Sequence, residues 1–148
     1  MAKVRNDMRF ETPIINHLNF SLRKNYDNEA VLESEDIHVR VENQVLQNDK
    51  TNEKIPNTCK TIVKVNIGDD SEGFPFFINL EMEAVFHWDE DIDIDIDSYI
   101  AYQTPAIIYS YMRPIISDTV SKAGFPPFNL PFMNFMDQNV EIDEIDNN

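Results

Sequence analysis

Between Phe76 and Trp88 every second residue is apolar. Phe76, Ile78, Leu80, Met82, Ala84, Phe86 and Trp88 fall on one side of an extended chain, and Phe77, Asn79, Glu81, Glu83, Val85 and His87 on the other. A helix, with about 3.6 residues per turn, would scatter both sets around its axis. A strand with one oily face and one half-wetted face calls for antiparallel neighbours and a cover over the oily side. Shorter alternations precede it. Within an extended reading of Met8 to Leu22, Leu18, Phe20 and Leu22 alternate with Asn19, Ser21 and Arg23. Ile37, Val39 and Val41 alternate with His38, Arg40 and Glu42, and Thr61 to Ile67 completes the set. The polar stretches 24–36 and 43–58 read as connections, the second as a long hairpin loop, and Gly68 to Gly73 as a turn.

The cover lies downstream. Thr104 is placed to cap a helix and Pro105 to occupy its first position, where a missing N–H costs nothing. Ile108, Tyr111, Met112, Ile115, Ile116 and Val120 then recur at helical spacing over 102–123, and Gly124 supplies the stop. Pro114, inside this helix, is expected to kink or break it, at about 3 kcal/mol unless its neighbours adapt. Strands followed by helices predict an α+β domain: a four-stranded antiparallel sheet with a long helix and a shorter C-terminal helix on one face. With 148 residues the chain is expected to form one domain over 8–138. A flexible tail is expected over 1–7 and a flexible acidic tail over 139–148.

Charge and composition exclude several functions. A net charge of −15 repels nucleic acid phosphate and anionic membrane, so neither is an expected partner. The lone Cys59 rules out an internal disulfide and suits a reducing compartment. With no signal-like segment and no membrane-length apolar run, the expected address is the cytoplasm. The ladder from Asp89 to Asp97 invites a calcium reading, but an EF-hand starting at Asp91 would place Ile96 and Tyr102 where Gly and Glu belong. A solvated acidic lead-in to the helix is the better reading. His17, His38, His87 and Cys59 lack zinc-site spacing, and three glycines cannot build a phosphate cradle. No enzyme, metal or cofactor is expected.

Phe125, Phe128, Phe132 and Phe135 follow the helix, interleaved with Pro126, Pro127 and Pro131. The prolines oppose a regular helix and hold the backbone extended. Two readings stay open. Phe125, Leu130 and Phe135 can fix helix to sheet, while Phe128, Phe132 and the pliable Met133 suit an open apolar groove. With Phe76, Phe86 and Trp88 from the long strand, these are the groove candidates. An apolar groove rimmed by acids would accept unfolded segments with basic flanks.

This region resembles the C-terminal part of the SecB family of export chaperones. The matching residues are Pro105, Tyr111 with Arg113, Phe125 with Pro126, Asn129 with Leu130, and Asn134 with Phe135, at family spacing without a gap. A looser match surrounds Asn19-Phe20-Ser21. The resemblance implies an ATP-independent holdase for unfolded polypeptides, assembled as a dimer of dimers. Ile108, Tyr111 and Ile115 would then lie at an assembly interface. It also implies a contact with the SecA motor through acids on the outer sheet. Here Asn19, Arg23 and Asn79 replace those acids, which argues against that contact. The alternatives are a SecB-like chaperone dedicated to one partner, such as an antitoxin, and an oligomeric adaptor with a closed groove.

Overall fold

The computed structural model describes residues 8–27, 29–48, 53–69, 73–88, 93–136 and 141–144. Strand β5 (Phe76–Trp88) is central, and its side chains alternate buried and half-buried along its whole length, as expected. β4 (Glu53–Ile67) and then β3 (Ile37–Asn48) extend the sheet on one side, and β1 (Met8–Phe10) and β2 (Ile14–Leu22) both pair with β5 on the other. All these pairings are antiparallel. β1 and β2 are one extended segment interrupted next to Pro13, which has no N–H for a ladder. β6 (Glu141–Glu144) pairs in parallel with β3.

The expected strands are present, and β3 and β4 are longer than expected. The stretch 43–58 is mostly ladder: β3 continues to Asn48 and β4 begins at Glu53. Backbone pairing does not require apolar side chains, so composition hid these extensions. The register slips between Val45 and Gln47, and Asn57 adopts a left-handed conformation with φ 66°, a geometry Asn tolerates.

The helical segment starts earlier than Thr104. A short helix α1 (Ile96–Ser98) is capped by Asp95, whose carboxylate accepts the Ser98 hydroxyl proton at 2.9 Å. A wide π-helical turn, Tyr99–Gln103, leads into α2 (Thr104–Lys122). Thr104 is therefore not a cap. Pro105 cannot donate to the carbonyl four residues back, and the turn widens so that the Thr104 N–H reaches Tyr99. The Thr104 hydroxyl lies 2.8 Å from the Ile100 carbonyl and 2.9 Å from the Thr61 hydroxyl, which donates to Asn43 at 2.7 Å. This buried chain of hydrogen bonds ties the root of the helix to β3 and β4.

α2 is not broken at Pro114. Pro114 and Ser110 both lie on the exposed side, so the carbonyl deprived of its partner is open to water. Beneath, Ile108, Tyr109, Met112, Ile116 and Val120 pack onto a sheet face that includes Val63, Val65, Ile78, Leu80, Met82 and Phe86. The shorter helix expected after α2 is absent among the described residues; a strap without regular secondary structure takes its place, for the reason its three prolines suggest. Within the segment 139–148, residues 141–144 form β6, and the rest, like 1–7, lies outside the described residues.

Phe86 is fully buried at the centre of this packing. Phe86→Ala is expected to lower unfolding free energy by about 3–5 kcal/mol, read as a drop in the urea midpoint.

Candidate functional site

The strap is held by two hooks from α2. Gly124 (φ 93°) ends the helix in a left-handed turn, with the Phe125 N–H donating to the Val120 carbonyl and the Gly124 N–H to Ser121. Downstream, Arg113 Nε donates to the Leu130 carbonyl at 3.1 Å and the Tyr109 hydroxyl to the Pro131 carbonyl at 2.6 Å. Tyr109 and Arg113 are one helical turn apart, so they seize consecutive carbonyls. Leu130 is fully buried, and Phe135 stands edge-on to Tyr109 with centroids 5.6 Å apart. Pinned between these anchors, Phe132 is 87% exposed. Burial pushes the Tyr109 phenol up to about 12, the nearby Arg113 partly opposing it.

A second apolar surface runs along the β1–β2 edge. In register with β5, Phe10 faces Phe86, Ile15 faces Met82, Leu18 faces Leu80, Phe20 faces Ile78 and Leu22 faces Phe76. All five therefore share the helix-side face of the sheet. Yet Phe10, Ile15, Leu18 and Leu22 remain 40–59% exposed. Aromatic contacts bound this stripe: Tyr111 of α2 stands edge-on to Phe10 at 6.2 Å, and Phe125 of the strap lies 6.5 Å from Phe20 and 5.1 Å from Phe76.

Of the groove candidates, Phe76, Phe86, Trp88, Leu130 and Phe135 are buried within the single chain. Phe125, Phe128 and Met133 are half-buried against the core, and Phe132 is exposed. Of the interface candidates, Ile108 is in the core, Ile115 is half-buried and Tyr111 is 39% exposed. Sequence reasoning missed Phe10, Ile15, Leu18 and Leu22 as surface residues. The alternation of Leu18 and Leu22 was legible, but it looks the same whether or not a helix covers it, and Ile15 reaches the same face only through the register shift that follows it. It also missed Tyr109, whose signal was its spacing four residues before Arg113.

On the opposite sheet face, Asn19, Asn79 and Arg23 are engaged internally. Asn19 Nδ2 donates to Asn79 Oδ1 at 3.3 Å, and Asn79 Nδ2 donates to Asn66 at 2.8 Å and to the Asp69 carboxylate at 3.0 Å. The Arg23 guanidinium donates to the Gly68 and Asp69 carbonyls and sits over the Phe77 ring at 5.6 Å. Lys60 pairs with Glu83 at 3.0 Å, and Lys64 with Glu42 at 3.1 Å and Glu81 at 3.6 Å. Among the described residues no cluster of three or more His, Cys, Asp or Glu is placed to hold a metal. No described helix is long and apolar enough to cross a membrane.

The described residues thus form a largely antiparallel sheet with one covering helix and an open apolar stripe beside it. The family model described as "Preprotein translocase subunit SecB" matches residues 6–139, and the chain belongs to the SecB family. A protein-export protein SecB of Roseobacter denitrificans is 28% identical over 83 residues, covering 54% of this chain and 50% of that relative's length. An uncharacterized protein of Methanocaldococcus jannaschii is 24% identical over 140 residues, covering 93% of this chain and 86% of the relative. The same fold occurs in a SecB-like chaperone of Mycobacterium tuberculosis, solved with a peptide from an antitoxin, at a TM-score of 0.59 and 14% identity. That match covers 86% of this chain and 91% of the other.

Tyr109→Phe leaves the Pro131 carbonyl without its donor and is expected to cost about 1–3 kcal/mol, with faster amide exchange over 128–135. The folded phenol keeps its proton more tightly than the unfolded one. Stability present below pH 10 is therefore lost as pH rises towards 12. Cys59, which burial raises from 9.0 to about 11, starts the decline near pH 9. A denaturation series across pH 8–12 should show a shallower fall above pH 10 for Tyr109→Phe.

Proposed function

We propose that this chain is an ATP-independent holdase that binds unfolded or non-native polypeptides on its open apolar surface. The observation that carries the reading is the stripe Phe10, Ile15, Leu18 and Leu22, left uncovered beside Tyr111 and supplemented by Phe132. Monomeric proteins rarely leave such a patch without a partner. Several weak apolar contacts along one unfolded chain give useful avidity while each releases readily. The net charge of −15 favours clients with basic flanks. The buried candidates Phe76, Phe86, Trp88, Leu130 and Phe135 act as the floor beneath this surface, and Phe125, Phe128, Met133 and Phe132 as its accessible part.

Family membership supports a chaperone role, cytoplasmic and assembled as a dimer of dimers. In that assembly Tyr111 and Ile115 reach across the interface, while Ile108 supports them from within the core. The reading includes no cofactor and no catalytic step. Hand-off to the SecA motor is not part of it. The three outer-face positions at issue are bonded to their own sheet and carry no acid, which would weaken a basic partner's hold. A chaperone dedicated to one partner is the second reading. It is favoured by that same uncoupled face and by the Mycobacterium tuberculosis relative, whose bound peptide comes from an antitoxin.

Purified protein is expected to slow aggregation of a chemically denatured model substrate at near-stoichiometric ratios. Leu18→Asp combined with Phe132→Asp should weaken that activity several-fold while shifting the thermal midpoint by only a few degrees. Unchanged aggregation with wild-type protein would sink the holdase reading. Co-purification of a single stoichiometric partner would favour the dedicated one.

A further inference from the structure

α2 has neighbours on both flanks, and its residue spacing tells them apart. Residues two positions apart point about 200° from each other around a helix. Tyr111 turns to Phe10 of β1, whereas the Tyr109 hydroxyl turns to the Pro131 carbonyl. Arg113, one turn beyond Tyr109, reaches the Leu130 carbonyl on that same flank. The β1–β2 stripe and the stretch 130–132 of the strap therefore lie on opposite sides of α2. Phe132 is an apolar contact point of its own.

The backbone of the strap does not fix the direction of that ring. Among the described residues, 126–133 make no backbone-to-backbone hydrogen bond. Side chains hold the strap instead: the two donors of α2, the buried Leu130 and Phe135, and Asn134, which accepts from the Met136 N–H at 3.0 Å. The carbonyls taken by Arg113 and Tyr109 belong to the two residues immediately before Phe132. With both aimed at α2 and Leu130 in the core, Phe132 is turned outward and is 87% exposed. A phenyl ring gains by leaving water, so the two donors oppose a roll of the strap that would bury it. One hydrogen bond leaves the strap a rotation about that bond; two on successive carbonyls remove it.

We propose that Tyr109 and Arg113 are positioning residues for client binding: they hold the strap so that Phe132 meets an unfolded polypeptide at a point apart from the β1–β2 stripe. The client rests on the holdase reading; the hold on Phe132 does not. Each residue acts through the carbonyl it holds. An unfolded chain that passes across α2 engages both surfaces, and the second contact adds avidity. A segment shorter than the helix's width of about 10 Å reaches only one of them.

The hold is tested without a client. Phe132→Trp keeps a large ring at this position, and Trp88 is buried, so acrylamide should quench the added emission and spare the original. Combining it with Arg113→Gln should cut quenching of the introduced indole several-fold, and Arg113→Lys, which keeps a donor, should restore part of it. Tyr109→Phe is a second, milder variant, since only a hydroxyl is lost. The client arm uses reduced, carboxamidomethylated ribonuclease A, a basic chain that stays unfolded. Phe132→Ser and Arg113→Gln should each weaken its binding several-fold, yet together no more than Phe132→Ser alone. Leu18→Asp, on the far flank, should multiply with Phe132→Ser. Unchanged quenching in both Arg113→Gln and Tyr109→Phe overturns the proposal. So does a loss from Arg113→Gln that persists in full beside Phe132→Ser. If wild type binds the unfolded chain in those cases, the holdase reading stands while the positioning role falls; if wild type does not bind it, the holdase reading falls and the positioning of a client with it.

Discussion

One helix cannot cover this sheet. A helix about 10 Å across spans roughly two strands spaced about 4.8 Å apart, and α2 spends its apolar side on β4 and β5. Its buried residues, from Ile108 to Val120, meet the inner face of the two longest strands. The β1–β2 edge, in register with the same inner face of β5, lies beyond that width. Apolar side chains presented there have to wait for another cover. The open stripe is therefore a consequence of geometry in a fold with one long helix.

What the helix does not cover, the strap covers in part. Residues 126–134 form no regular helix or strand, so their backbone does not satisfy itself internally, and α2 supplies partners through Tyr109 and Arg113. Two polar hooks on successive carbonyls set the rotation of the strap about its own axis. That rotation buries Leu130 and Phe135 and turns Phe132 outward. The same segment thus provides core and surface, which is why both readings of its aromatics contain part of the arrangement.

The outer face follows a different logic. Its amides and charges are engaged within the sheet, through the Asn19–Asn79–Asn66 ladder, Lys60 against Glu83 and Lys64 between Glu42 and Glu81. Half-exposed ion pairs of this kind contribute about 0–1 kcal/mol each, so they matter less for stability than for what they withhold from a visitor. The Arg23 guanidinium, donating to the Gly68 and Asp69 carbonyls, is used to clamp the β4–β5 turn. The chain belongs to the SecB family while presenting an outer surface bonded to itself.

The sequence by itself determined the α+β class, the polarity of β5 and the apolar side of α2, because each is a local periodicity imposed by backbone geometry. It also carried the family resemblance, through residues whose spacing survives without reference to contacts. The tertiary structure alone decided how far β3 and β4 run, that the helix begins at Ile96 with a widened turn, and that it passes Pro114 unbroken. It decided too that Phe86 and Leu130 are interior, whereas Leu18 and Phe132 face outward. Coverage depends on what packs across from a residue, and in this chain the partners lie tens of positions away, beyond the reach of any local pattern.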